Sequence, residues 1–264
     1  MTLIVFTDLD GGLMEHETYS IEPAREALDE IANRQIQLIL NSSKTAAEMT
    51  TIQELLDLHC PFICENGAAL HGTAASVIEF GPRRDTWLPE VHALRGQHEY
   101  SFQGFSDWST TDISAITGLS KPQAEQARSR IYSEPILWRD SEASLLKFQN
   151  QLRDMNLRLL QGGRFQSIQG SYDKSDALRS MVVEQRQKNS QQPLITVALG
   201  DSPNDAAMLN AADVAVIIKS AKSSLIHCPE PKKLIHTKKP GPAGWNEAIL
   251  EILALYDSSK LGIS

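Results

Sequence analysis

The chain has 264 residues, 41% of them apolar, and a formal net charge of −8. That is enough for one sizeable core with a smaller satellite, and it lacks the basic footprint of a nucleic-acid binder. No apolar run is long enough to span a bilayer, and no charged segment leads into an apolar one at the N-terminus; no membrane partner and a cytoplasmic setting are expected.

The first element is a short strand, Leu3 to Phe6, apolar throughout as in a strand buried on both faces. It runs into Thr7-Asp8-Leu9-Asp10-Gly11. In extended chain the side-chain period of two points Asp8 and Asp10 the same way. Two carboxylates so close are unfavourable without a cation or a shared proton. Asp and Gly are also ordinary turn residues, so this stretch alone leaves chemistry and a plain turn both open.

A helix then opens at Ile21-Glu22-Pro23, with Ala24, Ala27, Leu28, Ile31 and Ala32 at helical spacing. A second strand, Ile36 to Leu40, ends in Asn41-Ser42-Ser43-Lys44. Thr45 and Glu48 form a capping-box pattern that starts the next helix. A third strand, Pro61 to Cys64, ends in Glu65-Asn66-Gly67. The β-α-β-α-β alternation predicts a doubly wound parallel sheet, an α/β fold with polar clusters gathered along one edge. Cys60, Cys64 and Cys228 form no disulfide framework and suit a reducing compartment; His59, Cys60 and Cys64 lack the second cluster that a metal site needs.

Residues 82–161 have a different texture and read as an inserted α/β domain. Trp87, Trp108 and Trp138 fall here, with helix starts at Ser109, Ser120 and Ser141 and short strands at Tyr100–Phe102, Ile136–Trp138 and Leu157–Leu160. Gly81-Pro82 and Gly162-Gly163 are the expected hinges. Residues 1–81 and 162–264 form the expected core. In it Arg164–Gln169 is a strand, Asp173-Lys174-Ser175 starts a helix, and Leu194–Leu199 is a buried strand ending in Gly200-Asp201-Ser202-Pro203-Asn204-Asp205. Val214–Ile218 is the next strand, the lysines at 232, 233, 238 and 239 read as a solvated loop, and a last helix begins near Pro242.

Asp8 and Asp10 thus end one strand, and Asp201 with Asp205 follows another. Mg²⁺ prefers carboxylate, carbonyl and water oxygens, and Asp8, Asp201 and a backbone carbonyl can supply them. Ser42 can donate a hydrogen bond and Lys174 a point charge, parts that suit phosphoryl transfer. The sequence has no GxxxxGK[ST], HExxH or GxSxG. With no serine or cysteine nucleophile motif, a carboxylate becomes the expected attacker.

Asp8-Leu9-Asp10-Gly11, Ser42, Lys174 and Gly200–Asp205 resemble, in order, the four motifs of the haloacid-dehalogenase-like phosphatases. Further strings resemble the mannosyl-3-phosphoglycerate phosphatase family: Asn41–Thr45, Glu65–Ala68, Gly104–Asp107, Thr117–Ser120, Tyr132–Pro135 and Gly162–Phe165. The resemblance implies a Rossmann-type core with a cap that selects substrate, and an Mg²⁺-dependent phosphatase that releases mannosylglycerate and phosphate from a small sugar phosphate. It implies that Asp8 is the nucleophile, that Asp10 is the general acid and base, and that Ser42 and Lys174 hold the phosphate. Asp8, the carbonyl of Asp10, Asp201 and Asp205 would hold the metal, with Asn204 orienting Lys174 or the nucleophile; Asn204 and Asp205 would equally cap the following helix.

For the sugar and the glycerate carboxylate the expected contacts are Ser43, Lys44, Asn66, Arg164 and Asn204. Arg164 could equally be an exposed strand-end arginine, and Glu65 either accepts sugar hydroxyls or caps its own turn. Gly12 stands where the family usually has threonine, Ser42 replaces the commoner threonine, and Ser175 replaces a glycine. The glucosyl epimer or another sugar phosphate is the alternative substrate, and a catalytically weak binding protein is the alternative from another class.

Overall fold

A computed structural model describes residues 2–15, 18–72, 77–162, 164–188, 193–258 and 260–262. The chain runs β1 (Thr2–Thr7), α1 (Arg25–Asn33), β2 (Gln37–Asn41), α2 (Ala46–Leu56), β3 (Phe62–Cys64), β4 (Ala69–His71) and β5 (Ile78–Glu79). It continues through α3 (Leu88–His98), β6 (Phe102–Gly104), α4 (Thr110–Thr117), α5 (Lys121–Arg128), β7 (Ser133–Trp138), α6 (Glu142–Asp154), β8 (Leu157–Gln161) and β9 (Gln166–Gly170). Then come α7 (Lys174–Lys188), β10 (Leu194–Gly200), α8 (Ala206–Ala211), β11 (Val214–Lys219), β12 (Lys233–Pro240) and α9 (Gly241–Asp257).

Local chemistry sets many of these starts. Thr45 and Glu48 close a reciprocal capping box at the head of α2, and Ser109 and Ser120 do so for α4 and α5. Ser141 caps α6 by accepting from the Ser144 N–H at 3.1 Å. Such caps contribute about 1 kcal/mol each by satisfying N–H groups that the helix leaves unpaired.

The larger sheet has eight strands in the order β12-β11-β10-β1-β2-β3-β4-β5. Strands β12 through β3 are parallel; β4 and β5 fold back antiparallel at one edge. The alternation along β1 explains the two layers. Leu3 and Val5 face one side, with side chains of α1, α2 and α9; Ile4 and Phe6 face the other, with α7 and α8. This is the doubly wound arrangement. Strands β1 and β10 are neighbours with Thr7 opposite Leu199, so the segments after them emerge side by side.

The second sheet is antiparallel in the order β6-β7-β9-β8. It carries its own aromatic core, in which Trp87, Tyr100, Phe102 and Phe148 pack with α3 and α6. Two expectations change here. The strand expected in the core at Arg164–Gln169 forms as β9, but it pairs with β7 and β8 in the second sheet. A short strand records its tendency to extend, not its partner. The lysine-rich loop is instead β12, an edge strand, where exposed lysines discourage further pairing. Helix α3 and the β4–β5 hairpin were not expected at all. Gly163 of the second expected hinge lies outside the described residues.

The connections between the sheets touch. A Cβ on Gly81 would stand 2.3 Å from the Tyr172 ring, and one on Gly170 would stand 2.5 Å from Pro82 Cδ.

Candidate active site

The site lies beyond the carboxyl ends of β1, β2, β3 and β10. Asp8 is buried and its backbone N–H donates to the Leu199 carbonyl at 2.9 Å, which ties the first acidic turn to β10. The turn closes on itself: Gly11 N–H donates to the Met14 carbonyl at 2.8 Å, and Leu13 N–H to the Asp8 carbonyl at 3.3 Å. At Gly12 a Cβ would lie 2.8 Å from the Asp8 carbonyl oxygen. The glycine that departs from the family's threonine therefore suits a tight local approach.

Lys174, the first residue of α7, is 1% exposed. Its Nζ lies 2.6 Å from Asp8 Oδ1 and 2.7 Å from Asp205 Oδ1. Burial alone would lower the lysine's pKa, but Asp205 and Asp8 outweigh it and hold it above its usual value. Burial pushes the Asp8 carboxyl well above its usual range; the Asp205 charge adds to this, while Lys174 opposes it. Asp205 has a second task. Its Oδ2 accepts the N–H groups of Asp201 at 3.1 Å and Ser202 at 3.0 Å. The capping role and the role beside Lys174 hold together, on opposite oxygens of one carboxylate.

Asp8, Asp201 and Asp205 each present an oxygen within 4.8 Å of the others, all three buried. Two of these carboxylates pair with the Lys174 ammonium, and the donors of the cluster are all hard oxygen. This set fits a small divalent cation of the Mg²⁺ type. The Asp10 carboxylate is not part of that group; it pairs with Lys44 at 2.9 Å. Burial would lower the Lys44 pKa, yet Asp10 and Glu48 raise it above its usual value.

Ser42 is fully buried at the end of β2, its Oγ accepting the Lys44 N–H at 3.3 Å. Asn66 N–H donates to the Ser42 carbonyl at 2.9 Å, so the loops after β2 and β3 are joined. The Asn66 side chain donates to Gln169 Oε1 at 3.3 Å, reaching the second sheet. Ser43 and Asn204 are exposed, and Asn204 accepts a hydrogen bond from Ser202.

Arg164 is not brought to this cluster. It is exposed and donates to the Ile116 carbonyl near the end of α4. The cause is the sheet membership of β9. Gln169 reaches the core through Asn66, and Gln166 lies about 10 Å back along the strand at 3.3 Å per residue, with Arg164 beyond it.

Glu65 does not cap its own turn. It is 1% exposed, and it accepts the backbone N–H groups of Ile131 at 2.9 Å, Tyr132 at 3.1 Å and Ser133 at 2.8 Å, and the Ser133 hydroxyl at 2.6 Å. It fastens the turn after β3 to the segment entering β7. Three supporting residues escaped the sequence reading. Asn41 Nδ2 donates to the Lys174 carbonyl at 2.8 Å, Gln169 bridges Asn66 and the Tyr172 carbonyl, and Arg130 lies against the Ser43 carbonyl. Only a polar residue in a buried strand position hinted at the first two.

Residues 5–228 match the haloacid dehalogenase-like hydrolase family. The chain is 33% identical to the glucosyl-3-phosphoglycerate/mannosyl-3-phosphoglycerate phosphatase of Methanococcoides burtonii, across 96% of this chain and 98% of that protein. Among solved structures, BT1666 from Bacteroides thetaiotaomicron, a phosphatase of that superfamily, aligns with a TM-score of 0.66 at 18% identity, covering 99% of this chain and 96% of its own. TM0651 from Thermotoga maritima aligns with a TM-score of 0.67 at 15% identity, covering 95% and 97%. Those two likenesses speak for the fold. With the match over most of the chain and the full-length relative, the protein belongs to the haloacid dehalogenase-like hydrolase family, as a phosphoric monoester hydrolase.

Proposed function

We propose that the chain is an Mg²⁺-dependent phosphatase of mannosyl-3-phosphoglycerate, releasing mannosylglycerate and phosphate through an aspartyl-phosphate on Asp8. The observation that carries the chemistry is the buried cluster of Asp8, Lys174, Asp201 and Asp205 at the ends of adjacent strands. The relative in M. burtonii, matched end to end, supports the substrate.

In this reading an Asp8 oxygen attacks phosphorus as the bond from phosphorus to the glycerate oxygen breaks, and Asp10 gives that oxygen its proton. Asp10 then takes a proton from water, whose oxygen attacks the phosphoryl group and returns Asp8 as a carboxylate. Lys174 stays protonated between Asp8 and Asp205, fixing the nucleophile and meeting the phosphoryl oxygens. Ser42 donates to the phosphate, and Lys44 meets the glycerate carboxylate. Asp8, Asp201 and Asp205 would hold Mg²⁺, which would supply positive charge against the carboxylates and the phosphate.

The relative's name covers both sugars, which favours glucosyl-3-phosphoglycerate as a second substrate. A weak binding protein is less well supported, because the glycine at position 12 has a steric reason. Purified protein with Mg²⁺ and each glycosyl phosphoglycerate should release phosphate. Absence of turnover on both, with turnover of another sugar phosphate, would replace this substrate assignment.

A further inference from the structure

Arg130 sits in the segment between α5 and β7, where the second sheet meets the core. Its Nη1 donates to the Ser43 carbonyl at 3.3 Å and to Ser133 Oγ at 3.0 Å. Ser43 is the residue between Ser42 and Lys44. The guanidinium carbon lies 5.6 Å from the centre of the Phe105 ring, so an aromatic face supports it. Ser133 in turn donates to the buried Glu65, which also grips the backbone on either side of Tyr132. The arginine is thus held from the core by Ser43 and from the second sheet's side by Ser133 and Phe105.

Its charge is handled differently from that of its neighbours. Lys174 pairs with Asp8 and Asp205, Lys44 with Asp10, Arg84 with Glu134 and Arg95 with Asp107. Among the described residues, the direct partners of Arg130 are a carbonyl and a hydroxyl, both neutral. Its Nε is buried and finds no acceptor among them. Buried donors normally have partners, and a guanidinium is shaped for a carboxylate.

We infer that Arg130, acting with Lys44, binds a second anionic group of the substrate, a carboxylate close to the phosphorylated carbon, and thereby sets specificity. This rests on the phosphoglycerate reading above. It also transfers to Arg130 the carboxylate contact expected of Arg164.

The test is calorimetric titration of the full chain with Mg²⁺ present, using 3-phosphoglycerate and glycerol 3-phosphate, which differ in the carboxylate. The readout is the ratio of the two dissociation constants, in the natural protein, in Arg130→Gln and in Arg130→Lys. The natural protein should favour 3-phosphoglycerate by about ten-fold or more, the scale of one charge-assisted contact. Arg130→Gln should bring the ratio close to one, and Arg130→Lys should keep part of it. A ratio near one in the natural protein, or one that Arg130→Gln leaves unchanged, overturns the inference. If Arg130→Gln does not fold, an unchanged ratio in Arg130→Lys does so instead. If neither glycosyl phosphoglycerate is turned over, the substrate reading fails while this ratio still decides the role of Arg130.

Discussion

Gly67 lies so close to the Asp173 carbonyl that a Cβ on it would stand 2.0 Å from that oxygen, and 2.9 Å from the Lys174 nitrogen. It closes a turn in which Glu65, Asn66 and Gly67 all have positive φ. The backbone that carries Lys174 into the site therefore rests on a residue without a side chain. Gly67→Ala must push that backbone away and strain its own φ of 107°. We expect kcat to fall about 100-fold, the scale of a 1 Å misplacement, with a loss of roughly 1–3 kcal/mol in stability. Steady-state kinetics and thermal melts check both.

Asp8→Asn should separate catalysis from folding. It removes the proposed nucleophile, so turnover should fall by about 10⁴-fold or more. It also removes one of three crowded carboxylates, while Asp205 still pairs with Lys174. The melting temperature without metal should hold or rise. An unfolded variant, or one that keeps turnover, would contradict the roles given to this residue.

Metal should stabilise the fold as well as support turnover. Chelation should abolish phosphate release, and Mg²⁺ should restore it. At a Mg²⁺ concentration about 100 times its dissociation constant, the native state should gain about 2.7 kcal/mol. Asp201→Asn should shrink that gain, because it removes one of the three clustered oxygens. A melting curve indifferent to Mg²⁺ would count against the site.

Glu65→Gln should loosen the joint between the sheets. The carboxylate faces only donors, three backbone N–H groups and a hydroxyl. An amide turns its own donors toward some of them. A loss of about 1.5–3 kcal/mol is expected, the scale of hydrogen bonds to a charged group. Amide hydrogen exchange at Ile131, Tyr132 and Ser133 should accelerate more than exchange in β1.

The thiols near β3 should be inert in the native protein. Burial pushes the Cys60 thiol up to about 11 and the Cys64 thiol up to about 12. At pH 8 the thiolate fractions would be about 0.1% and 0.01%, and the thiolate is the reactive form. Alkylation followed by peptide mass spectrometry should label both only after unfolding.

What the sequence revealed and what it hid divide along one physical line. The strand before Asp8, the capping boxes of α2, α4 and α5, and the turn after β10 are local features, and each is encoded within a few residues. The fates of Arg164, Glu65 and Arg130 depend on pairings between distant segments. Once β9 joins the second sheet, Arg164 is carried away from the acidic cluster. Once Glu65 meets residues 131–133, it fastens the turn after β3 to the segment entering β7. Nothing in the spacing of either residue contains that information.

The contact between Pro82 and Gly170 has a consequence beyond this one chain. The polypeptide leaves the large sheet after β5 and comes back beside the same point at the end of β9, just before α7. A chain joined directly from one position to the other would span the gap without added length, but it would leave the buried Glu65 carboxylate without its donors. We propose that the chain between them is an insertion into the core, and one that any replacement would have to match at two points, because Tyr132 packs in the large sheet's core and residues 131–133 satisfy the buried Glu65 carboxylate.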